Sequence, residues 1–185
     1  SKRNFLKYLT GAVIGVGATI AAIPFVKFLS PNQYSSAANK LDVDITNLKT
    51  GHKMTIIWQK MPIYIVRRSV KTLSRLEKTN LNLRDPDSIE QRQFVLAKNY
   101  HRSIKPEILV VVGICTKRDC SVEYSPPGSN TSYLKDFKNG GFFYCACCGS
   151  KYDLSGRVVS NVPALYNLDV PKYEVVNEAT IRLKV

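Results

Sequence analysis

The sequence predicts a mainly β protein, in which a small antiparallel head of the sandwich or barrel type follows one N-terminal transmembrane helix. Three observations predict it. Residues 8–26 contain no charged side chain. From about residue 42, short β-branched and aromatic runs alternate with turn signals, as in small all-β domains. All five cysteines lie between Cys115 and Cys148, so they form one site or clip rather than five separate core positions.

The composition agrees with a folded domain on a membrane anchor. Hydrophobic residues make up 44% of the chain and charged residues 22%, which excludes a disordered chain and a polytopic membrane protein. The formal net charge is +13, which is typical of proteins with anionic partners such as membrane lipid. The cations are spread without a dense block and no nucleic-acid-binding module is recognised, so we predict no nucleic-acid partner.

The N-terminal segment, residues 1–29, is predicted to be a signal and anchor helix. A helix over residues 8–26 would span about 28 Å, close to one hydrocarbon core. Three cations precede it and Lys27 alone follows closely, which places the N-terminus inside and the head outside. Residues 1–6 are similar to a twin-arginine export signal with lysine in the first basic place, and that route carries folded domains. The alternatives are a cleaved signal peptide and a buried core helix.

A polar stretch of small residues, 30–41, is predicted to be a flexible hinge, with a plain linker as the alternative. The head, residues 42–185, begins with a predicted hairpin. Its strands are residues 54–58 and 63–66, which are rich in β-branched and aromatic side chains, around a four-residue turn. Ser69 is predicted to cap a short helix whose apolar residues have helical spacing.

Two later segments complete the predicted sheets. Residues 108–114 form a continuous apolar run of strand length, interrupted only by Gly113. Residues 173–176 and the alternating apolar positions in 181–185 predict a closing hairpin.

Two loops within residues 113–165 carry the candidate chemistry. The first is Cys115-Thr-Lys-Arg-Asp-Cys120, and the second starts as Cys145-Ala-Cys-Cys-Gly-Ser150. Two facing loops that each bring thiols to one point can surround a metal centre. By spacing alone, a structural zinc, an iron–sulfur cluster and disulfides all remain open, although disulfides alone would leave one cysteine over.

Three segments carry a close resemblance to a known family: KPEILVVVGICT at 105–116, CGSKYDLSGRV at 148–158 and VPALYNLDVP at 162–171. They resemble the Rieske iron–sulfur subunit of the cytochrome bc complex, the quinol–cytochrome c oxidoreductase, and the resemblance extends over nearly the whole chain. It implies a Rieske-type β head with a cluster-binding loop subdomain, and a two-iron two-sulfur cluster. It also implies one-electron transfer from ubiquinol to cytochrome c and association with cytochrome b and cytochrome c-type subunits.

The resemblance further implies a single-pass protein of a bacterial plasma membrane or a mitochondrial inner membrane, with the head on the periplasmic or intermembrane side. The cluster ligands depart from the family, because its boxes C-T-H-L-G-C and C-P-C-H-G-S stand here as C-T-K-R-D-C and C-A-C-C-G-S. The resemblance assigns these places: thiolate ligands at Cys115 and Cys145, a disulfide at Cys120 and Cys147, histidine places at Lys117 and Cys148, and hydrogen-bonding hydroxyls beside the cluster at Ser150 and Tyr152.

These replacements bear directly on the chemistry. The ammonium of Lys117 has no lone pair for iron, and Cys148 can bind a metal only as an anion. Imidazole ligands keep Rieske clusters at about −150 to +300 mV, against about −400 mV for all-thiolate plant-type clusters. We therefore predict no histidine-ligated cluster, and expect His52 and His101 to be solvated residues rather than ligands. Two functions stay open: electron transfer by an altered cluster, and a structural or assembly subunit whose tip is held by disulfide or zinc.

Overall fold

The computed structural model describes residues 39–78, 82–89, 94–129 and 141–185. The predicted anchor and export signal lie outside the described residues, as does the predicted hinge up to residue 38. In the part of the chain that is described, no helix has the length and apolar character needed to cross a bilayer. The first strand begins at Lys40, so the last two positions of the range predicted as hinge belong to the head.

Within these residues the head contains one α-helix, one short 3₁₀ helix and nine strands. In chain order they are β1 (Lys40–Asp44), β2 (Lys53–Trp58), β3 (Met61–Arg67), α1 (Val70–Glu77), the 3₁₀ helix (Val95–Ala97), β4 (Ile108–Val112), β5 (Glu123–Ser125), β6 (Phe142–Tyr144), β7 (Lys151–Tyr152), β8 (Tyr173–Val175) and β9 (Thr180–Lys184). Three antiparallel three-stranded sheets result, with the orders β1-β9-β8, β2-β3-β4 and β5-β6-β7. The predicted mainly antiparallel β fold is confirmed.

The β2–β3 hairpin is present as predicted, but its turn is shorter. Trp58 pairs with Met61, so only Gln59 and Lys60 connect the strands. Both connecting residues have positive φ angles, 50° and 64°, as in the two-residue turns whose twist matches that of a hairpin. Met61 and Pro62, expected in the turn, are the first two residues of β3.

Helix α1 begins where the sequence predicts. The hydroxyl of Ser69 accepts a hydrogen bond from the backbone N–H of Thr72 at 3.1 Å, which satisfies one of the unpaired donors of the first turn. Leu76 lies in the core, whereas Val70 is 83% exposed. The apolar spacing therefore predicted the helix correctly; Thr72, Leu73 and Leu76 face the core, whereas the first residue of the predicted apolar stripe does not.

The C-terminal hairpin of β8 and β9 is also confirmed, and β9 pairs in addition with β1. Leu41 lies opposite Leu183 and Val43 opposite Ile181, so the two ends of the head close one sheet together. On the outer face, Arg182 bridges this sheet, with its guanidinium bonded to carboxylates on β1 and β8.

Two buried arginines tie the loop after β7 to the rest of the head. Arg68 donates hydrogen bonds to the backbone carbonyl of Leu154 at 2.9 Å. Arg102 donates to the carbonyls of Gly156 at 3.0 Å and of Leu168 at 2.6 Å. Burial lowers the pKa of both guanidinium groups to about 10, which leaves them charged at neutral pH. These hydrogen bonds fix the backbone of the segment that follows the second cysteine loop to the core of the head.

The two histidines lie in different surroundings. His52 is exposed in the turn before β2, as predicted. The prediction of a solvated side chain is wrong for His101, which is half-buried with its ring 3.7 Å from that of Tyr100. Its backbone carbonyl accepts a hydrogen bond from Arg68, which explains why this residue is drawn towards the core.

Candidate metal centre

The first cysteine loop is a tight turn that extends the antiparallel pairing beyond β4. Ile114 bridges Ser121, and the backbone N–H of Cys115 donates to the carbonyl of Cys120 at 2.8 Å. The N–H of Asp119 donates back to the carbonyl of Cys115 at 3.1 Å. Asp119 has a φ of +53°, a left-handed conformation that aspartate tolerates, at the place where the family pattern has glycine.

Gly113 allows this loop to start close to the core. A Cβ atom at this position would overlap the ring of Tyr64. That ring is held by its hydroxyl, which donates to the carbonyl of Val122 at 2.9 Å and lies 2.7 Å from the hydroxyl of Ser121. Gly113 before the loop, and Ser121 and Val122 after it, therefore all lie against one buried tyrosine.

The second cysteine loop, residues 145–150, joins β6 to β7. The N–H groups of Cys148 and Gly149 both donate to the carbonyl of Cys145, at 3.3 and 2.8 Å. Gly149 has a φ of +72°, which a glycine adopts without strain. The turn brings the sulfurs of Cys145 and Cys148 to 3.5 Å. Cys145 and Cys148 are also three positions apart in the sequence, a C-x-x-C pattern that is a common zinc-ligand spacing and was not singled out above.

The two loops bring three thiols to one point. The Cys115 sulfur lies 3.6 Å from that of Cys148, and the sulfurs of Cys115, Cys145 and Cys148 all lie within 4.8 Å of one another. Cys115 and Cys145 are fully buried, and Cys148 is half-buried. Two of them, Cys115 and Cys145, stand at the predicted thiolate-ligand places, and Cys148 stands at a predicted histidine place.

A disulfide between Cys120 and Cys147 joins the loops on their outer side. Cys147 is exposed, so the bond lies at the surface above the buried thiols. Lys117 and Arg118 are exposed in the first loop. Their backbone N–H groups contribute to lowering the pKa of Cys115.

The two predicted hydroxyl groups each contact one of the sulfurs. The Tyr152 hydroxyl lies 3.4 Å from the sulfur of Cys115, and the Ser150 hydroxyl lies 3.1 Å from that of Cys148. Ser150 also accepts a hydrogen bond from the N–H of Ala164 at 2.9 Å, which fixes its side chain. Burial raises the pKa of Tyr152, so its hydroxyl stays protonated and available as a donor.

The pKa values of the two buried thiols, Cys115 and Cys145, are shifted in opposite directions. Burial raises the pKa of Cys145 to about 12, and the neighbouring Cys115 adds to this effect. Burial also disfavours a charge on Cys115, but donors around its sulfur, first the Tyr152 hydroxyl and then the Lys117 N–H, bring its pKa below the ordinary value. Cys115 is therefore the group at which negative charge is best stabilised in this site.

The residues do not fit a histidine-ligated two-iron cluster. Such a cluster has two imidazoles on one of its irons, whereas the positions concerned carry the exposed Lys117 and the thiol of Cys148. His52 lies in the turn before β2, and His101 packs beside Arg68, so neither belongs to the two loops. In addition, Cys148 lies as close to the other two sulfurs as ligands of a single ion do.

Comparisons with known proteins place the chain in a family. Residues 1–32 match the family model described as "Ubiquitinol-cytochrome C reductase Fe-S subunit TAT signal". The chain is 39% identical over 181 residues to the "Ubiquinol-cytochrome c reductase iron-sulfur subunit" of Allochromatium vinosum, covering 97% of this chain and 86% of that protein. It is 35% identical over 185 residues to the protein of the same name from Bradyrhizobium diazoefficiens, with 99% and 94% covered.

A plant protein is also similar. The "Cytochrome b-c1 complex subunit Rieske, mitochondrial" of Solanum tuberosum is 36% identical over 182 residues, which cover 96% of this chain and 60% of that protein. These similarities extend over both cysteine loops and the β head. The resemblance found in the sequence is thereby confirmed, and the chain belongs to the family of Rieske iron–sulfur subunits of ubiquinol–cytochrome c reductase.

Proposed function

We propose that this chain is the Rieske-fold subunit of a ubiquinol–cytochrome c reductase and that it serves the complex as a structural or assembly subunit rather than as its one-electron carrier. Family membership supports the place in the complex. The structural or assembly role is supported by one observation: the side chains that the two loops offer to a metal are three thiols, without an imidazole.

The chemistry of quinol oxidation depends on the missing histidines. A neutral imidazole ligand keeps the potential of a Rieske cluster high and titrates near neutral pH, so it can take a quinol proton together with the electron. Thiolate ligands add negative charge and bring plant-type clusters to about −400 mV. Since about 59 mV corresponds to a tenfold change for one electron, iron held by thiolates at this site would accept electrons from quinol very unfavourably.

The proposed arrangement of the chain follows the family. Residues 1–29 form the signal and anchor, residues 30–39 a hinge, and residues 40–185 a head that meets cytochrome b and a cytochrome c-type subunit outside the membrane. The match of residues 1–32 to an export-signal model supports an outward-facing head. The excess of cations before the apolar segment supports an N-terminus on the inner side.

The test uses the intact complex. It is purified from cells that carry the chain and from cells that lack it, and three quantities are compared: assembly with the cytochrome subunits, iron and acid-labile sulfide, and the electron paramagnetic resonance spectrum after reduction. We expect the chain to co-purify with the cytochromes, to raise the yield of assembled complex, and to show no nitrogen-ligated cluster signal. A low mean g-value at positive potential, together with quinol oxidation that requires this chain, would overturn the proposal in favour of electron transfer.

A further inference from the structure

We propose that Cys115, Cys145 and Cys148 form a site for a single thiophilic d10 cation, Zn²⁺ or Cu⁺, bound by three thiolates. This inference rests on the proposed function, because it requires that no two-iron cluster occupies the two loops. It assigns to the three thiols a ligand that the family's cluster chemistry does not provide.

The distances match one ion. With metal–sulfur bonds of about 2.3 Å, the sulfurs around a tetrahedral zinc lie about 3.8 Å apart. The Cys148 sulfur lies 3.6 Å from that of Cys115 and 3.5 Å from that of Cys145. The remaining pair lies within 4.8 Å. Small rotations of the three side chains therefore suffice to bring all the sulfurs to one ion.

Two of the three sulfurs each have a hydroxyl group within hydrogen-bond distance. The Tyr152 hydroxyl lies 3.4 Å from the sulfur of Cys115, and the Ser150 hydroxyl lies 3.1 Å from that of Cys148. Donors of this kind stabilise the negative charge of thiolate ligands and orient them towards a metal. They are arranged here around a buried group of sulfurs that contains no carboxylate.

The donor set selects the class of ion. Three thiolates without oxygen or nitrogen donors favour soft cations such as Cu⁺ and Zn²⁺ over magnesium, calcium or manganese. The half-buried side of Cys148 leaves room for a water as a fourth ligand of Zn²⁺, whereas Cu⁺ is satisfied by three sulfurs. The disulfide of Cys120 and Cys147 holds the two loops together before an ion binds, so binding need not organise them.

The full chain is purified in detergent without oxygen, and its metal content is measured by elemental analysis. We expect one zinc or one copper per chain and no acid-labile sulfide. Zinc is then replaced by Co²⁺, which should give a sulfur-to-cobalt charge-transfer band and the absorption of a tetrahedral site, whereas Cu⁺ should give thiolate-bound copper emission. The ion should also protect all three thiols from alkylation in the folded chain.

Two variants locate the site. Cys148→Ser should weaken ion binding at least about 100-fold, because even outer partners of metal ligands change affinity by about 10–100-fold. The matched control, Cys120→Ser with Cys147→Ser, removes two sulfurs but keeps the three thiols, and should still bind one ion per chain. If Cys148→Ser does not fold, protection of the wild-type thiols from alkylation decides the question.

Three results would overturn the inference, and they differ in what else they affect. A chain with intact thiols that binds neither Zn²⁺ nor Cu⁺, with no iron present, removes the ion site and leaves the proposed function standing. A disulfide among the three cysteines in the anaerobically purified chain has the same consequence. Two irons and two sulfides per chain with a nitrogen-ligated spectrum remove both the ion site and the proposed function.

Discussion

Removal of the disulfide by Cys120→Ser with Cys147→Ser should destabilise the head by about 3.5 kcal/mol. The bond joins residues that are 27 positions apart. Closing a loop of this length removes about 12 cal/mol/K of chain entropy from the unfolded state, which corresponds to about 3.5 kcal/mol at 25 °C. Cys147 is exposed, so its replacement by the similarly sized serine removes little packing and the entropic effect dominates.

Urea unfolding of the full chain in detergent measures this effect, with a chelator present so that no ion joins the two loops. The fluorescence of Trp58 reports the transition, because it is the one tryptophan of the sequence and is 8% exposed in β2. Cys148→Ser is the matched control, since it replaces a cysteine of the same loop but leaves the disulfide intact, and it should cost less than about 1 kcal/mol. A loss below about 1 kcal/mol in the double variant would refute the reasoning.

Three further outcomes are expected. Gly113→Ala should lower the free energy of unfolding by about 1–3 kcal/mol, because its methyl group enters the space of the Tyr64 ring; an unchanged urea midpoint would contradict this close approach. Lys117→His with Cys148→His should allow an iron–sulfur cluster visible by electron paramagnetic resonance to assemble, and neither single variant should, because two imidazoles are needed. Burial raises the pKa of Tyr173 from 10.0 to about 12, so its contribution to stability is complete below pH 10 and is lost as the pH rises towards 12. Urea midpoints should therefore fall between pH 10 and 12, and Tyr173→Phe should make that fall shallower.

Local patterns predicted those parts of the fold that depend on neighbouring residues. The apolar run after residue 107 became the fully buried strand β4, and Ser69 capped α1, because period, capping and turn chemistry act within a few residues. The pairing of β1 with β9 was not predicted. This pairing places Asp42 opposite Arg182, although almost the whole sequence of the head lies between them. No short-range signal specifies such a partner.

The candidate site was predictable in its members but not in its geometry. Both cysteine loops follow apolar strands, so the spacing indicated that their thiols meet. The family pattern has histidine at the position of Cys148, whereas in this chain the same residue completes a C-x-x-C turn with Cys145. Only the structure gives the 3.5 Å approach of these sulfurs, because it depends on backbone bonds to one carbonyl and on the left-handed Gly149.

The buried guanidinium groups of Arg68 and Arg102 have a consequence for evolution. They bond to backbone carbonyls after β7, and carbonyls are present whatever side chains the loop carries. Substitutions of the metal-binding side chains in the two cysteine loops therefore leave these hydrogen bonds in place. Selection for a head that folds and selection for a particular redox group act on different residues, so a lineage can lose the second while keeping the first. A respiratory complex can in this way keep a subunit after that subunit has lost its role in electron transfer.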